Sequence, residues 1–145
     1  MAEFHFSGVD ELELSLREIE ELPEEVVDEM LEAQADVLID EIQNRGEAYG
    51  VMAPGSGKML RSIKKGRPKR GKNGTRQIVV SPRGTRKRGK EGKKTSNAEI
   101  AFLNNYGTRH QQARPFWSDA EKTSEKSMEK AAAEVHDKWL NSKGL

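Results

Sequence analysis

The longest amphipathic pattern in the chain sets most of the limits on its fold. From about Glu24 to Asn44, Val27, Leu31, Ala35, Leu38 and Ile42 recur at steps of three and four, flanked by Met30 and Val37. That spacing lines one face of a helix. Pro23 suits the first turn and Gly46 reads as a C-terminal stop. A stripe of this length has to be buried against another element. After Arg114-Pro115 a second long pattern runs from Phe116 or Trp117 to Leu140. Ala120, Ser124, Met128, Ala131, Val135 and Trp139 share its face, and Ser118 with Glu121 reads as a capping box.

The remaining segments are shorter. Phe4 and Phe6 alternate with polar neighbours, which predicts a strand ending at Gly8. Val9, Leu12, Leu16 and Ile19 follow at helical spacing, with Asp10 and Glu13 as a capping box and Leu22-Pro23 as the stop. Thr75 to Val80 is rich in β-branched residues and predicts a strand. Ile63 and its neighbours supply its pairing partner, with 66–74 as a long hairpin turn containing Asn73-Gly74. Residues 83–94 hold three glycines and no apolar residue, so a mobile loop is expected there. Residues 98–106 return to apolar character. The expectation is an α+β fold in one domain over 1–145: a small antiparallel sheet packed by two long helices, with mobile basic loops at about 64–76 and 83–94. Val27, Leu31, Leu38, Ile42, Met128, Val135 and Trp139 are its expected core.

Hydrophobic residues make up 34% of the chain, enough for a modest core whose subunit is marginal without partners. Cysteine is absent, which excludes disulfides and thiolate metal sites. No apolar run is long enough to cross a membrane, and the acidic opening MAEFHFSGVDELEL is unlike a signal peptide.

A net charge of +1 conceals strong segregation. Residues 1–57 carry 16 acids and 2 bases; residues 58–94 carry 16 bases and the single acid Glu91; residues 95–145 carry 7 of each. Such blocks speak of surfaces and partners. Lys64, Lys65, Arg67, Lys69, Arg70, Arg83, Arg86, Lys87, Arg88 and Lys90 are the candidate contacts to an anionic partner. No aromatics are interleaved with them, so base stacking is not indicated. A nucleic-acid backbone and an acidic protein face both fit. The chain itself supplies an acidic face, including Asp28, Glu32, Asp36 and Asp40 at steps of four, so basic loop against acidic helix of the next copy is an economical reading. Head-to-tail contacts that close make rings.

Catalytic patterns do not assemble. Gly55-Ser56-Gly57-Lys58 lacks the leading glycine of a phosphate loop, where Met52 stands, and the hydroxyl after the lysine, where Met59 stands. His5, His110 and His136 share no ligand spacing. No serine sits in a nucleophile elbow. The expectation is no enzyme activity, no catalytic residues, no metal and no cofactor.

Three stretches, in order, resemble the head–tail joining and tail-completion family of long-tailed bacteriophages. The opening F-x-F-S-G-V-D-E-L, Leu22-Pro23 and the long helix are similar to the family's start. Gly57-Lys58-Met59-Leu60-Arg61-Ser62-Ile63 resembles its Thr-Gly-x-Leu-x-x-Ser-Ile element, with Ser56 in place of the threonine and one residue inserted before the leucine. Tyr106-Gly107-Thr108, then Ala113-Arg114-Pro115-Phe116, then Ala120 is similar to its aromatic-Gly-Thr and Ala-Arg-Pro-Phe signature. Family members usually carry glutamate where Asn105 stands. The resemblance implies helices on a small sheet and a ring of subunits, commonly a hexamer. It also implies a non-enzymatic place in the virion neck, made in the bacterial host cytoplasm, with adjacent neck and tail-tube proteins as partners and DNA passing through. On physical grounds Gly107 permits a turn with positive φ and Pro115 presets the last helix; Tyr106 and Phe116 are expected in the core with Arg114 as a local staple, in preference to the alternative of direct partner contact. The alternative function is a small nucleic-acid-binding protein using the 58–94 block on phosphates; a ribonuclease-like toxin is weaker still, lacking a His/Glu/Arg constellation.

Overall fold

The computed structural model describes residues 2–6, 12–17, 22–51, 57–88 and 93–144. The fold is α+β. Strands β1 (Ala2–Phe6) and β2 (Leu12–Arg17) lead into helix α1 (Glu24–Ala48). Helix α2 (Gly57–Arg61) precedes β3 (Ile63–Lys65), β4 (Lys69–Arg70) and β5 (Thr75–Pro82). Strands β6 (Thr85–Arg88) and β7 (Lys93–Ser96) precede helices α3 (Asn97–Tyr106) and α4 (Phe116–Ser142).

All sheet pairings are antiparallel, in the order β1-β2-β5-β3, with β4 also paired to β5. Along β5 the pleat puts Arg76, Ile78, Val80 and Pro82 on the buried face. The register sets Leu12, Leu14 and Leu16 opposite Val80, Ile78 and Arg76. Helix α1 lies against β2, β3 and β5, and α4 packs along α1. The two helices run antiparallel: Tyr49 at the end of α1 donates to Asp119 at the start of α4, and Thr123 donates to Glu41. Val27, Leu31, Ala35, Leu38 and Ile42 close on Ile78, Val80, Ile100, Trp117 and Met128 in one core.

Several expectations are corrected. The 9–19 stretch does not form a helix where it is described: Leu12–Arg17 is strand β2. Leucines at 12, 14 and 16 also fit a two-residue period, and pairing on both edges outweighs the helical spacing of Leu12 and Leu16. Asp10 of the expected capping box lies outside the described residues. Gly46 does not stop α1, which continues to Ala48 and closes at Gly50 with φ +75°. Gly46 instead lets Leu60 come close: a Cβ there would meet the Leu60 side chain at 2.5 Å. The 66–74 hairpin turn contains β4 and a 3-10 turn at Lys72–Gly74, so both halves of the connection bond to β5. Within 83–94 the expected mobile loop is a hairpin, β6 against β7, with 89–92 outside the described residues. Ladder hydrogen bonds need no apolar side chains, and Asn97 closes the base, donating from its side chain to Arg83 O and from its backbone to Gly84 O.

Helix α4 starts at Phe116, so Ser118 and Glu121 lie inside it and form no capping box. Its buried residues are Phe116, Trp117, Ala120, Ser124, Met128 and Ala132. Val135 and Trp139, expected in the core, are only half-buried: the sheet makes its main helix contacts with α1, and α4 packs chiefly on α1. No helix among the described residues is long and apolar enough to cross a membrane.

Candidate functional site

Residues 104–119 form one tightly bonded corner between α3 and α4. Helix α3 is capped by Ser96, whose side chain accepts from Glu99 N–H. It ends at Gly107, whose N–H donates to Leu103 O at 2.9 Å. Gly107 has φ +78°, and a Cβ there would meet Ala113 N at 2.7 Å and Gln111 O at 2.8 Å. Both obstacles are backbone, so only glycine fits. Thr108 and Gln111 exchange backbone hydrogen bonds, and the Thr108 hydroxyl accepts from His110 N–H. Arg114 N–H donates to Asn104 O at 2.7 Å, returning the chain to α3. Pro115, at φ −76°, then enters α4 as expected.

Asn105 carries a role that the sequence reading left open. Its Oδ1 accepts from the backbone N–H groups of both Trp117 and Ser118 at 3.1 Å. Its Nδ2 donates to Ser118 Oγ at 2.9 Å. The first amides of α4 have no partner within the helix, so this side chain from α3 caps them from outside. A carboxylate there would also present acceptor oxygens that suit a helix N-terminus. Local capping rules look at residues 115–118 and miss Asn105.

Phe116 is fully buried, as expected, and meets Trp117 edge-on at 6.3 Å. Tyr106 is not in the core: it is 54% exposed and pairs with Phe102, 47% exposed, at 4.9 Å between ring centres. Both project from the outer face of α3, since Ile100, Ala101, Asn104 and Asn105 take its inner face. Phe102 was missed, although a Phe and Tyr four residues apart on one helix mark a shared face. Arg114 is not the local staple expected: its side chain leaves the turn and reaches α1's end, where Nη1 donates to Gly50 O at 3.4 Å.

The charged blocks divide into two populations. Arg76, only 9% exposed, forks onto Asp28, with Nε to Oδ1 at 2.9 Å and Nη2 to Oδ2 at 2.8 Å, and reaches Glu24 at 3.1 Å. Lys65, a candidate partner contact, is instead paired with Asp36 of its own chain at 2.9 Å. The regular acidic ladder is therefore half spent internally, Asp28 and Asp36 being its paired members. Lys64, Arg67, Lys69, Arg70 and Arg83 are exposed and form no ion pair among the described residues. Arg86, Lys87 and Arg88 stand on β6, with Lys87 opposite Lys94 and Arg88 opposite Lys93 in the register. Lys90 lies outside the described residues.

Two titrations stand out on the helix pair. Glu121 is pushed up to about 7 by burial, opposed by the nearby Trp117 indole, which favours the charged form without reaching full hydrogen-bond geometry. Glu41 is held below the usual carboxylate range by Arg45 and the Thr123 hydroxyl. Among the described residues no group of three or more histidines and carboxylates is placed to hold a metal ion. No protein-family model, curated protein or solved structure matches the chain.

Proposed function

We propose that the chain is a non-enzymatic structural subunit that associates head to tail into a ring. The particular place that fits it is the neck of a long-tailed phage, where the ring completes the tail or joins it to the head connector. The observation that carries the reading is the convergence of the family-like motif. Gly107, Thr108, Ala113, Arg114, Pro115 and Phe116 meet in one corner, held by Asn105, and that corner joins the ends of α1, α3 and α4. The subunit also exposes the Phe102–Tyr106 pair and a basic β3–β4 edge whose Lys64, Arg67, Lys69 and Arg70 form no ion pair among the described residues, surfaces suited to partners. Adjacent neck and tail-tube proteins are the partners, and DNA in the channel is a non-specific neighbour.

Light scattering on the purified protein tests the ring, which should appear as a closed oligomer of about six copies, the family's common number. Phage particles made without the protein should accumulate unjoined heads and tails. The exposed Lys64, Arg67, Lys69, Arg70 and Arg83 favour a second reading, a nucleic-acid-binding protein. A monomer that binds duplex DNA tightly, with affinity falling steeply as salt rises, would favour that alternative.

A further inference from the structure

Internal pairing leaves two charged surfaces of opposite sign. On α1, Arg76 takes Glu24 and Asp28, Lys65 takes Asp36, and Arg45 takes Glu41. Glu25, Glu29, Glu32, Asp40 and Glu47 have no ion pair among the described residues. At 100° per residue Glu25, Glu29, Asp40 and Glu47 fall on the face away from the buried stripe, with half-buried Glu32 at its margin, and Glu25 to Glu47 spans about 33 Å. On the sheet, β3 and β4 both bond to β5 and together form the edge opposite β1. Lys64, Arg67, Lys69 and Arg70 are exposed along it. The pairings run from Ile63 opposite Pro82 to Arg70 opposite Arg76, a length of about 20 Å.

Within one subunit the basic edge reaches α1 at a single ion pair among the described residues, Lys65 on Asp36 at 2.9 Å, while Lys64, Arg67, Lys69 and Arg70 form none. The basic side chains also guard the edge against added strands, so a partner is recognised here by charge.

We infer that the β3–β4 edge of one copy docks on the outer acidic face of α1 in the next. The inference rests on the ring reading above and names its contact. Charge complementarity identifies the occupant as a second copy of this chain, the basic edge of about 20 Å being short enough to lie wholly on the acidic face. A polyanion fits less well: the chain's net charge is only +1 and its first 57 residues carry 16 acids, which repel a duplex. Repeated head to tail, as the ring reading requires, the contact is heterologous, the kind that generates rings or filaments.

Three charge-reversed chains test it. One carries Glu25→Lys, Glu29→Lys and Asp40→Lys; another carries Lys64→Glu, Arg67→Glu, Lys69→Glu and Arg70→Glu; the third combines both sets. All seven positions are exposed, and circular dichroism checks that each chain keeps its helices. Glutamine at the same seven positions provides milder variants, expected to associate about tenfold or more weakly than wild type. In sedimentation at low salt each single-face reversal should run as a monomer. Their equimolar mixture and the doubly reversed chain should both recover the wild-type size. Raising salt from about 0.05 to 0.5 M should weaken wild-type association.

If both single-face reversals assemble like wild type, the contact lies elsewhere and the inference fails while the ring reading stands. Failure of the mixture and of the doubly reversed chain, with both singles monomeric, also overturns it. So does a base-reversed chain that assembles normally but has lost duplex DNA binding, since the edge then serves nucleic acid. A wild-type protein that is monomeric at every concentration sinks the ring reading and this inference together.

Discussion

The two long helices are similar in length and hold their place by different means. Helix α1 is buried from Val26 to Gly46, with the sheet on one side and α4 on another, and Arg76 ties its first turns to β5. Helix α4 is buried from Phe116 to Ala132, and its last ten residues contribute nothing fully buried. It is anchored at its start, by Asn105 on its first amides, by Phe116 and Trp117, and by Asp119 accepting from Tyr49. A helix inside the layers is held along its length; a helix on the outside is held where a cap and large aromatics meet it. The distal end of α4 is then free to carry half-buried Val135 and Trp139.

That contrast makes its largest prediction about truncation. Leu38→Ala on α1 should cost about 2–5 kcal/mol in urea unfolding, since its site is closed to solvent. Val135→Ala at α4's distal end should cost under about 1 kcal/mol. Comparable losses at the two sites would mean that α4 is held along its whole length after all.

Arg76→Met should cost about 2–3 kcal/mol, because Asp28 then stays partly buried beside an uncharged side chain. The solvent exposure of Glu24 keeps the loss below that of a fully buried pair. A double-mutant cycle with Asp28→Asn should recover much of it, and additive losses would show that Arg76 acts by packing alone.

At α4's anchored start, Asn105→Ala should cost about 1–2 kcal/mol by leaving two helix amides unpaired. Asn105→Asp, which keeps an acceptor at the helix N-terminus, should restore most of it. Loss without rescue would move Asn105's role from capping to shape.

The smallest effect is pH-dependent. Glu121 titrates at about 7 in the folded chain against the ordinary 4.5, so the folded state favours its neutral form. Its contribution is fully present below pH 4.5 and lost as pH rises through 7. Because the carboxyl is partly solvated, about 1 kcal/mol is at stake once screening is allowed for. Glu121→Gln should therefore stabilise the protein at pH 8 and leave it unchanged at pH 4. An equal effect at both would rule out the titration.

The legible parts of this fold are those where one period stands alone. The stripe of α1, the β-branched strand at 75–80 and the turn chemistry of Gly107 and Pro115 each follow from local sterics and spacing. The 12–17 segment shows the limit: its leucines satisfy two periods, and only the neighbouring strands chose between them. The basic 85–96 hairpin was illegible for another reason: its strands carry no apolar residue to show a period, and the ladder is made by backbone groups alone.

The candidate surfaces divide the same way. Sequence by itself determined that acids and bases are segregated, that the last helix follows an Arg-Pro-Phe turn, and that α1 has one apolar side. Those properties depend on residues adjacent in the chain or one helical turn apart. Only the tertiary structure decided that Lys65 and Arg76 are consumed by α1 while Lys64, Arg67, Lys69 and Arg70 form no ion pair among the described residues. It alone decided that Asn105 caps a helix it does not belong to, and that Tyr106 faces solvent while Phe116 does not. Pairing, capping and burial are set by distances between segments far apart in sequence, and those distances exist only once the layers have packed.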